Sequence, residues 1–452
     1  MGSFDWRLEV NTQDLSTVPT GTAQGEIGGM VILSSKAAID PVYFGVGQGS
    51  RIVDYFGKPS TTYPDVQEAI DYNAQYPLWV CSPVSTEDTR STILITSTGS
   101  DASDFALSPI GASTALSAYT FLGSNDFILL SSKSIGADDL GVKTSYDDSE
   151  NIFTMEVHRK STSGTFTLLT TYNFSLDATK KDGFGNNIFI DNVLGSNDYF
   201  DYVVNPLGDP ETLHMTADAA VVEFDGGSHI VPTDTSLRDA QLVAGWAKFR
   251  DEKKYPAQIF MSSYDGATVV AEIDSLSKTY RKYDSFIIMF SEGLTVANAI
   301  AAKSGFAIDN SNIAFYWNRA VVNQNSIHYV GPLTRSMVGR IGIKFAAMQN
   351  VFDGLAPSYI DEGGHGGQLG TDISRMVYEV IGSNESDLDA AGINPLILDN
   401  VYGCMVAGQR TAKNPLQKSD YSWIGHARLF NYIIRNVISN VLVYQVTKLN
   451  DS

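Results

Sequence analysis

Hydrophobic positions along this chain fall into three textures. Between residues 27 and 84, apolar runs at Gly28 to Ser34 and Leu78 to Cys81 flank a stretch from Pro64 to Tyr76. There Val66, Ala69, Ile70 and Asn73 recur at helical spacing, with proline at the start and acids early, which predicts a helix. Val42, Tyr43 and Phe44 precede three glycines, and Asp54 to Pro59 reads as a short helical turn closed by glycine and proline. Residues 1–26 are polar and predicted to be extended.

The second texture, residues 85–205, is rich in Ser, Thr, Asp and Gly with brief alternating runs. Ile93–Thr96, Phe127–Ser131, Val142–Tyr146, Phe153–His158 and Phe166–Tyr172 read as strands, the last two as a hairpin. The third begins at Gly226, where amphipathic helical patterns (237–253, 269–281, 295–304) alternate with continuous apolar runs (257–262, 285–290, 312–317). That order predicts a largely parallel sheet with helices on both faces. Leu333–Met348 reads as a helix whose Gly339, Gly342 and Ala346 permit close packing. Residues 353–380 read as irregular, and Asp420 to Leu449 as an apolar closing helix. The fold class predicted is an α/β core with an inserted antiparallel β-rich domain, α+β overall. Residues 27–84 and 206–452 form the discontinuous core and 85–205 the insert.

One stretch organises the rest. Gly392 follows the polar run Asn384–Ala391, where a helix C-cap glycine belongs. Asn394-Pro395 forces extension. Gly392 to Thr411 thus reads as a loop, a strand over Gly403–Ala407 and a tight exit carrying Arg410. That arginine is either a surface residue or one half of an ion pair or inter-subunit contact, since its fork holds carboxylates in two places at once.

The formal net charge of −20, from 51 acidic and 31 basic residues, argues against nucleic acid or an anionic membrane as the main partner. The two cysteines, Cys81 and Cys404, lie in apolar runs and read as buried free thiols in a reducing compartment. No run approaches ~18 consecutive apolar residues, so no transmembrane helix is predicted, and no signal peptide is seen.

Candidate chemistry is sparse. GVGQGSR (Gly45 to Arg51) fits neither phosphate-loop pattern, and no helix start is evident after it, so it reads as a turn. None of the six histidines makes H-E-x-x-H or pairs at helical spacing with another ligand type. His365, behind Asp361 and Glu362 in a glycine run, is the best metal guess but reads as a surface loop. Glu385–Asp389 reads as the exposed face of a short helix. Tyr264 to Thr268 follows a strand, where an α/β sheet opens a ligand crevice, although Gly266 also makes it an ordinary βα turn.

Several motifs, in order, resemble those of contractile-tail sheath proteins of myophages, a family shared with phage-like bacteriocin and type VI secretion sheaths. Phe56, Gly57 and Pro59 match an F-G-x-P motif. Gly392, Ile393 and Asn394 match a GIN turn, Gly408, Arg410 and Thr411 a G-x-R-T exit, and Arg428 a closing-helix arginine. The resemblance covers about residues 20–82 and 185–449. It implies a structural, non-enzymatic subunit without catalytic residues, cofactor or metal. Such subunits stack as six-membered rings around a tail tube, contact a baseplate, and contract to drive the tube through the host envelope. It also implies a virion location after assembly in the host cytoplasm. The family's N-terminal arm motif and C-terminal β segment are not matched, so the expectation is a trimmed, monomeric fragment that folds without polymerising. The alternatives from other classes are an α/β enzyme with a nucleotide or sugar ligand at Tyr264–Thr268, and a carbohydrate-binding virion protein using residues 85–205.

Overall fold

The computed structural model describes residues 27–433 apart from 86, 98–104, 114–118, 122–125, 148, 161–163, 207–219, 282–284, 352–366 and 418. The chain opens with β1 (Gly28–Val31), β2 (Val42–Phe44), α1 (Gly49–Phe56), α2 (Asp65–Asn73) and β3 (Leu78–Cys81). Next come β4 (Thr89–Ser97), β5 (Phe105–Ser113), β6 (Asp126–Ile135), β7 (Leu140–Asp147), β8 (Ile152–Lys160) and β9 (Phe166–Phe174). They are followed by α3 (Ile190–Leu194), β10 (Phe200–Val204) and β11 (Val222–Glu223). The rest comprises α4 (Thr235–Lys248), β12 (Ile259–Ser262), α5 (Ala267–Ser275), β13 (Phe286–Ser291), α6 (Val296–Gly305) and β14 (Ile313–Trp317). After these come β15 (Ala320–Asn325), β16 (Val330–Arg335), α7 (Val338–Val351), β17 (Gln368–Gly370), β18 (Ile373–Met376), α8 (Gly382–Ala391), β19 (Ile393–Asp399), β20 (Gly403–Val406) and α9 (Ile424–Tyr432).

A nine-stranded sheet in the order β17-β20-β19-β14-β13-β12-β1-β3-β2 forms the frame. Its inner strands from β3 to β19 run parallel, while β2, β20 and β17 pair antiparallel at the edges, so the sheet is mixed. Both faces are buried, which explains the unbroken apolar runs of β12, β13 and β14. Met30, Met261, Ile288 and Tyr316 face α2 and α7, whereas Val31, Phe260, Ile287 and Phe315 face α4, α5 and α6. Asp234 caps α4 by accepting from Ser236 N and Leu237 N. The close packing predicted for α7 is real: a Cβ on Gly342 would lie 2.3 Å from the Met261 sulfur, and one on Gly339 would lie 2.2 Å from the Glu68 carbonyl.

Residues 85–225 supply two four-stranded sheets, β10-β6-β4-β5 and β11-β7-β8-β9, around a third apolar core. The hairpin of β8 and β9 is antiparallel as expected.

Several expectations need correction. Gly392–Thr411 is not a loop and one strand. It is a hairpin of β19 and β20, and β19 begins within the supposed loop. Pro395 is tolerated because β19's pairing with β14 ends there, and its carbonyl accepts from Ala407 N. A helix does start in GVGQGSR: α1 begins at Gly49 and buries Ile52 and Phe56, one turn apart. Residues 333–335 belong to β16, so that helix begins only at Val338. The supposedly irregular 353–380 contains β17 and β18, the latter in a fourth, three-stranded sheet, β16-β15-β18. β5 was not anticipated. His365 and residues 434–449 lie outside the described residues. Both cysteines are buried free thiols, and burial pushes each up to about 12.

Candidate functional site at the Gly392 hairpin

Gly392 ends α8 in the left-handed region, with φ +72°, where a side chain would be strained. The Lys303 ammonium of α6 donates to the Ala391 carbonyl at 2.6 Å, placing a cation on the helix C-terminus. Burial lowers this lysine to about 8. Ile393 then enters the sheet fully buried.

Asn394 is the staple of the site, with no solvent exposure. Its Nδ2 donates to the Phe315 carbonyl of β14 (3.0 Å) and to the Arg410 carbonyl (2.8 Å), and its Oδ1 accepts from Arg410 N (2.7 Å). One amide therefore satisfies both backbone groups of a residue sixteen positions away. The approach is so close that a Cβ on Gly408 would lie 2.7 Å from the Asn394 Oδ1. The physical reason for pairing G-I-N with G-x-R-T is thus local: a two-donor, one-acceptor side chain, and a glycine that lets the returning backbone reach it.

Arg410 uses its fork within the chain. Nε and Nη2 donate to the Asp389 carboxylate of α8 at 2.7 and 2.8 Å, and the guanidinium stacks 4.2 Å from the Trp423 ring. The bond to Asp389 raises its pKa further. Asp389, expected on a merely exposed helix face, is therefore a partner, and Trp423 was not singled out at all. Neither is found by motif: the pairing spans 21 positions without periodicity. Thr411 is buried and donates from Oγ1 to the Tyr421 carbonyl at 2.8 Å. A surface groove of about 610 Å³ opens beside them, lined by Arg410, Pro415, Asp420, Tyr421 and Trp423 among others.

Other motif residues lie elsewhere. Phe56 packs on Phe44 near the β2 edge, and Gly57, at φ +82°, closes α1 with its N–H on the Val53 carbonyl. Pro59 is buried just after it. Arg428 of α9 is buried, donates to the Phe345 carbonyl at 2.6 Å and lies over that ring.

Tyr264–Thr268 lines neither that groove nor the smaller cavity beside α1. Its polar groups are used internally. Tyr264 OH donates to Asp65, Ser291 Oγ to Asp265 at 2.9 Å, and Arg238 bridges Asp239 and Glu292. Among the described residues no three His, Cys, Asp or Glu are placed to hold a metal. Burial pushes Asp65 and Asp265 up to about 6 from 3.8. Between those values the folded chain holds a proton that the unfolded chain has released. The resulting stabilisation is full below 3.8 and lost as pH rises through 6. Asp265→Asn is therefore expected to raise stability at pH 7 by about 1–3 kcal/mol and to leave it unchanged at pH 4. Melting curves at the two pH values check this; equal stability at pH 7 contradicts it.

No protein-family model matches the chain, and no curated protein matches it in sequence. Among solved structures, the chain is similar to the sheath tail protein from Desulfitobacterium hafniense, with a TM-score of 0.51 at 9% identity, covering 95% of this chain and 86% of that one. It is also similar to a sheath tail protein from Listeria innocua, with a TM-score of 0.53 at 7% identity, covering 91% and 75%. At these identities the likeness is one of fold.

Proposed function

We propose that this chain, which has the fold of the sheath tail proteins, is a structural subunit of a contractile tail sheath. The observation that carries the reading is the fold shared over nearly the whole chain, on which the GIN hairpin and the Arg410 exit meet beside β14, inside the sheet. Subunits stack as six-membered rings around a tail tube, anchored to a baseplate, and shift between a long and a short packing without consuming a nucleotide. Bistable interfaces between rigid bodies suffice for such a change. Residues 27–84 and those that follow the β-rich unit act as the rigid core. Residues 85–205 face outward, and the working location is the virion tail after assembly in the host cytoplasm.

The role assigned to the motif residues is rigidity. Asn394, Gly408 and Arg410 weld α8, the hairpin and the start of α9 into one block, so that motion occurs between copies. Electron microscopy of the protein made from its complete reading frame tests the reading: striated hollow tubes are expected, and monodisperse particles alone would refute it.

A further inference from the structure

The three apolar cores do not merge. The core within the two four-stranded sheets, including Phe127, Leu130, Phe153 and Phe200, shares no member with the two that flank the nine-stranded sheet. What joins the β-rich unit to the α/β unit is mainly polar, with Ala37 and Ile135 as buried apolar side chains at the seam that belong to none of the three cores.

The chain passes between the units twice, at residues 82–88 and 224–234. Asp88 ties the passages together and is almost fully buried. Its Oδ2 accepts from Ser85 N at 2.8 Å and lies 2.8 Å from the Nδ1 of the equally buried His229, and its Oδ1 accepts from Ile230 N at 2.9 Å. Thr89 and Ser228 exchange backbone bonds at the same level. This crossing is the fixed end.

Farther along the seam the contacts are ion pairs. Lys36 Nζ meets Asp138 Oδ1 at 2.8 Å, with side chains only 9% and 6% exposed. Asp138 also accepts from the hydroxyls of Ser132 and Ser134. Ala37 and Ile135 exchange two backbone bonds beside them. Arg159 reaches Asp54 at 2.7 Å, and Arg51 reaches Asp198 at 3.0 Å. Arg51, Asp54, Asp138, Arg159 and Asp198 ring a cavity of about 80 Å³ between α1 and the β-rich unit.

We infer that the β-rich unit is a hinged body, pivoting on the two passages at Asp88 and closed on the α/β unit by the Lys36–Asp138 clasp and its two outer ion pairs. A seam of this kind opens without exposing either core, so it opens before either core unfolds. The unit can then change its angle to the α/β block while both stay folded. The buried pair is the closing element: removing one partner strands the other charge out of water.

Native-state hydrogen exchange on the intact chain tests this. The amides of Ala37 and Ile135 report the seam, Ile287 the α/β core and Leu130 the β-rich core. The seam amides are expected to exchange at least tenfold faster than both core amides. Asp138→Asn is expected to speed them a further tenfold or more while leaving Ile287 and Leu130 unchanged. Should that variant fail to fold, Arg51→Ala, which removes only a half-exposed partner, is expected to give the same ordering with a smaller step. Exchange of all four amides at one common rate, or a variant that accelerates all four equally, overturns the inference.

Discussion

Asn394→Asp is expected to destabilise the protein by about 4 kcal/mol at pH 7, because the buried Phe315 carbonyl and the half-buried Arg410 carbonyl lose their donor and instead face an acid of the same shape. Aspartate keeps the acceptor for Arg410 N but has no NH₂ to offer Phe315 O and Arg410 O. Two outcomes are open to the new carboxyl. It can stay charged against two carbonyl dipoles in a dry site, or it can take up a proton and donate to one of them. The second is easier at low pH, so part of the loss should be recovered at pH 5. Denaturant midpoints at the two pH values measure this. A variant with native stability at pH 7 would show that the staple does not hold the hairpin.

The second large effect is expected at Arg335, far from the hairpin. Its side chain is fully buried and donates to Glu68 at 2.8 Å, to Asp71 at 2.6 Å and to Gln324 at 3.3 Å. Glu68 also accepts from the backbone of Met337 and Gly339, so it anchors the N-terminus of α7 and holds Met337 at φ +66°. Burial works against the Asp71 charge, but Arg335 and Arg340 hold its carboxyl below the usual range. Arg335→Met leaves the buried Glu68 without its cation and Asp71 with Arg340 alone, and should cost about 3–5 kcal/mol. Arg335→Lys should recover little, since one ammonium cannot serve both acids in the geometry of a fork. Combining Arg335→Met with Glu68→Gln and Asp71→Asn should restore much of the loss. Urea unfolding of the set measures it, and a single Arg335→Met variant within about 1 kcal/mol of native would contradict the assignment.

What could be read in the sequence was local. The periodicity of Val66, Ala69 and Ile70 located α2, the apolar runs located β12 to β14, and Gly392 marked the end of α8, because each signal sits within a few residues of its cause. The misreadings have equally specific reasons. The stretch after Gly392 read as a loop, although Asn394-Pro395 signalled extension, because the partners that make it a strand, at Phe315 and Arg410, are out of any local window. The three glycines before Arg51 hid the start of α1, although Ile52 and Phe56 carried its spacing. β16 was merged into α7 because the strand's partner, β15, was itself unrecognised. The polar skeleton was almost wholly illegible: Arg335 and Glu68 are 267 positions apart. A charged residue in an apolar run signals that a partner exists and says nothing of where.

Helical reconstruction by cryo-electron microscopy, on whatever the protein from its complete reading frame assembles into, confronts the sheath reading most directly. The expected map is a hollow tube of six-membered rings of this chain, in a long narrow and a short wide form, with Arg410 on Asp389 in both. Discrete particles without a tubular lattice, or a tube whose two forms differ by refolding of the Gly392 hairpin, would contradict it.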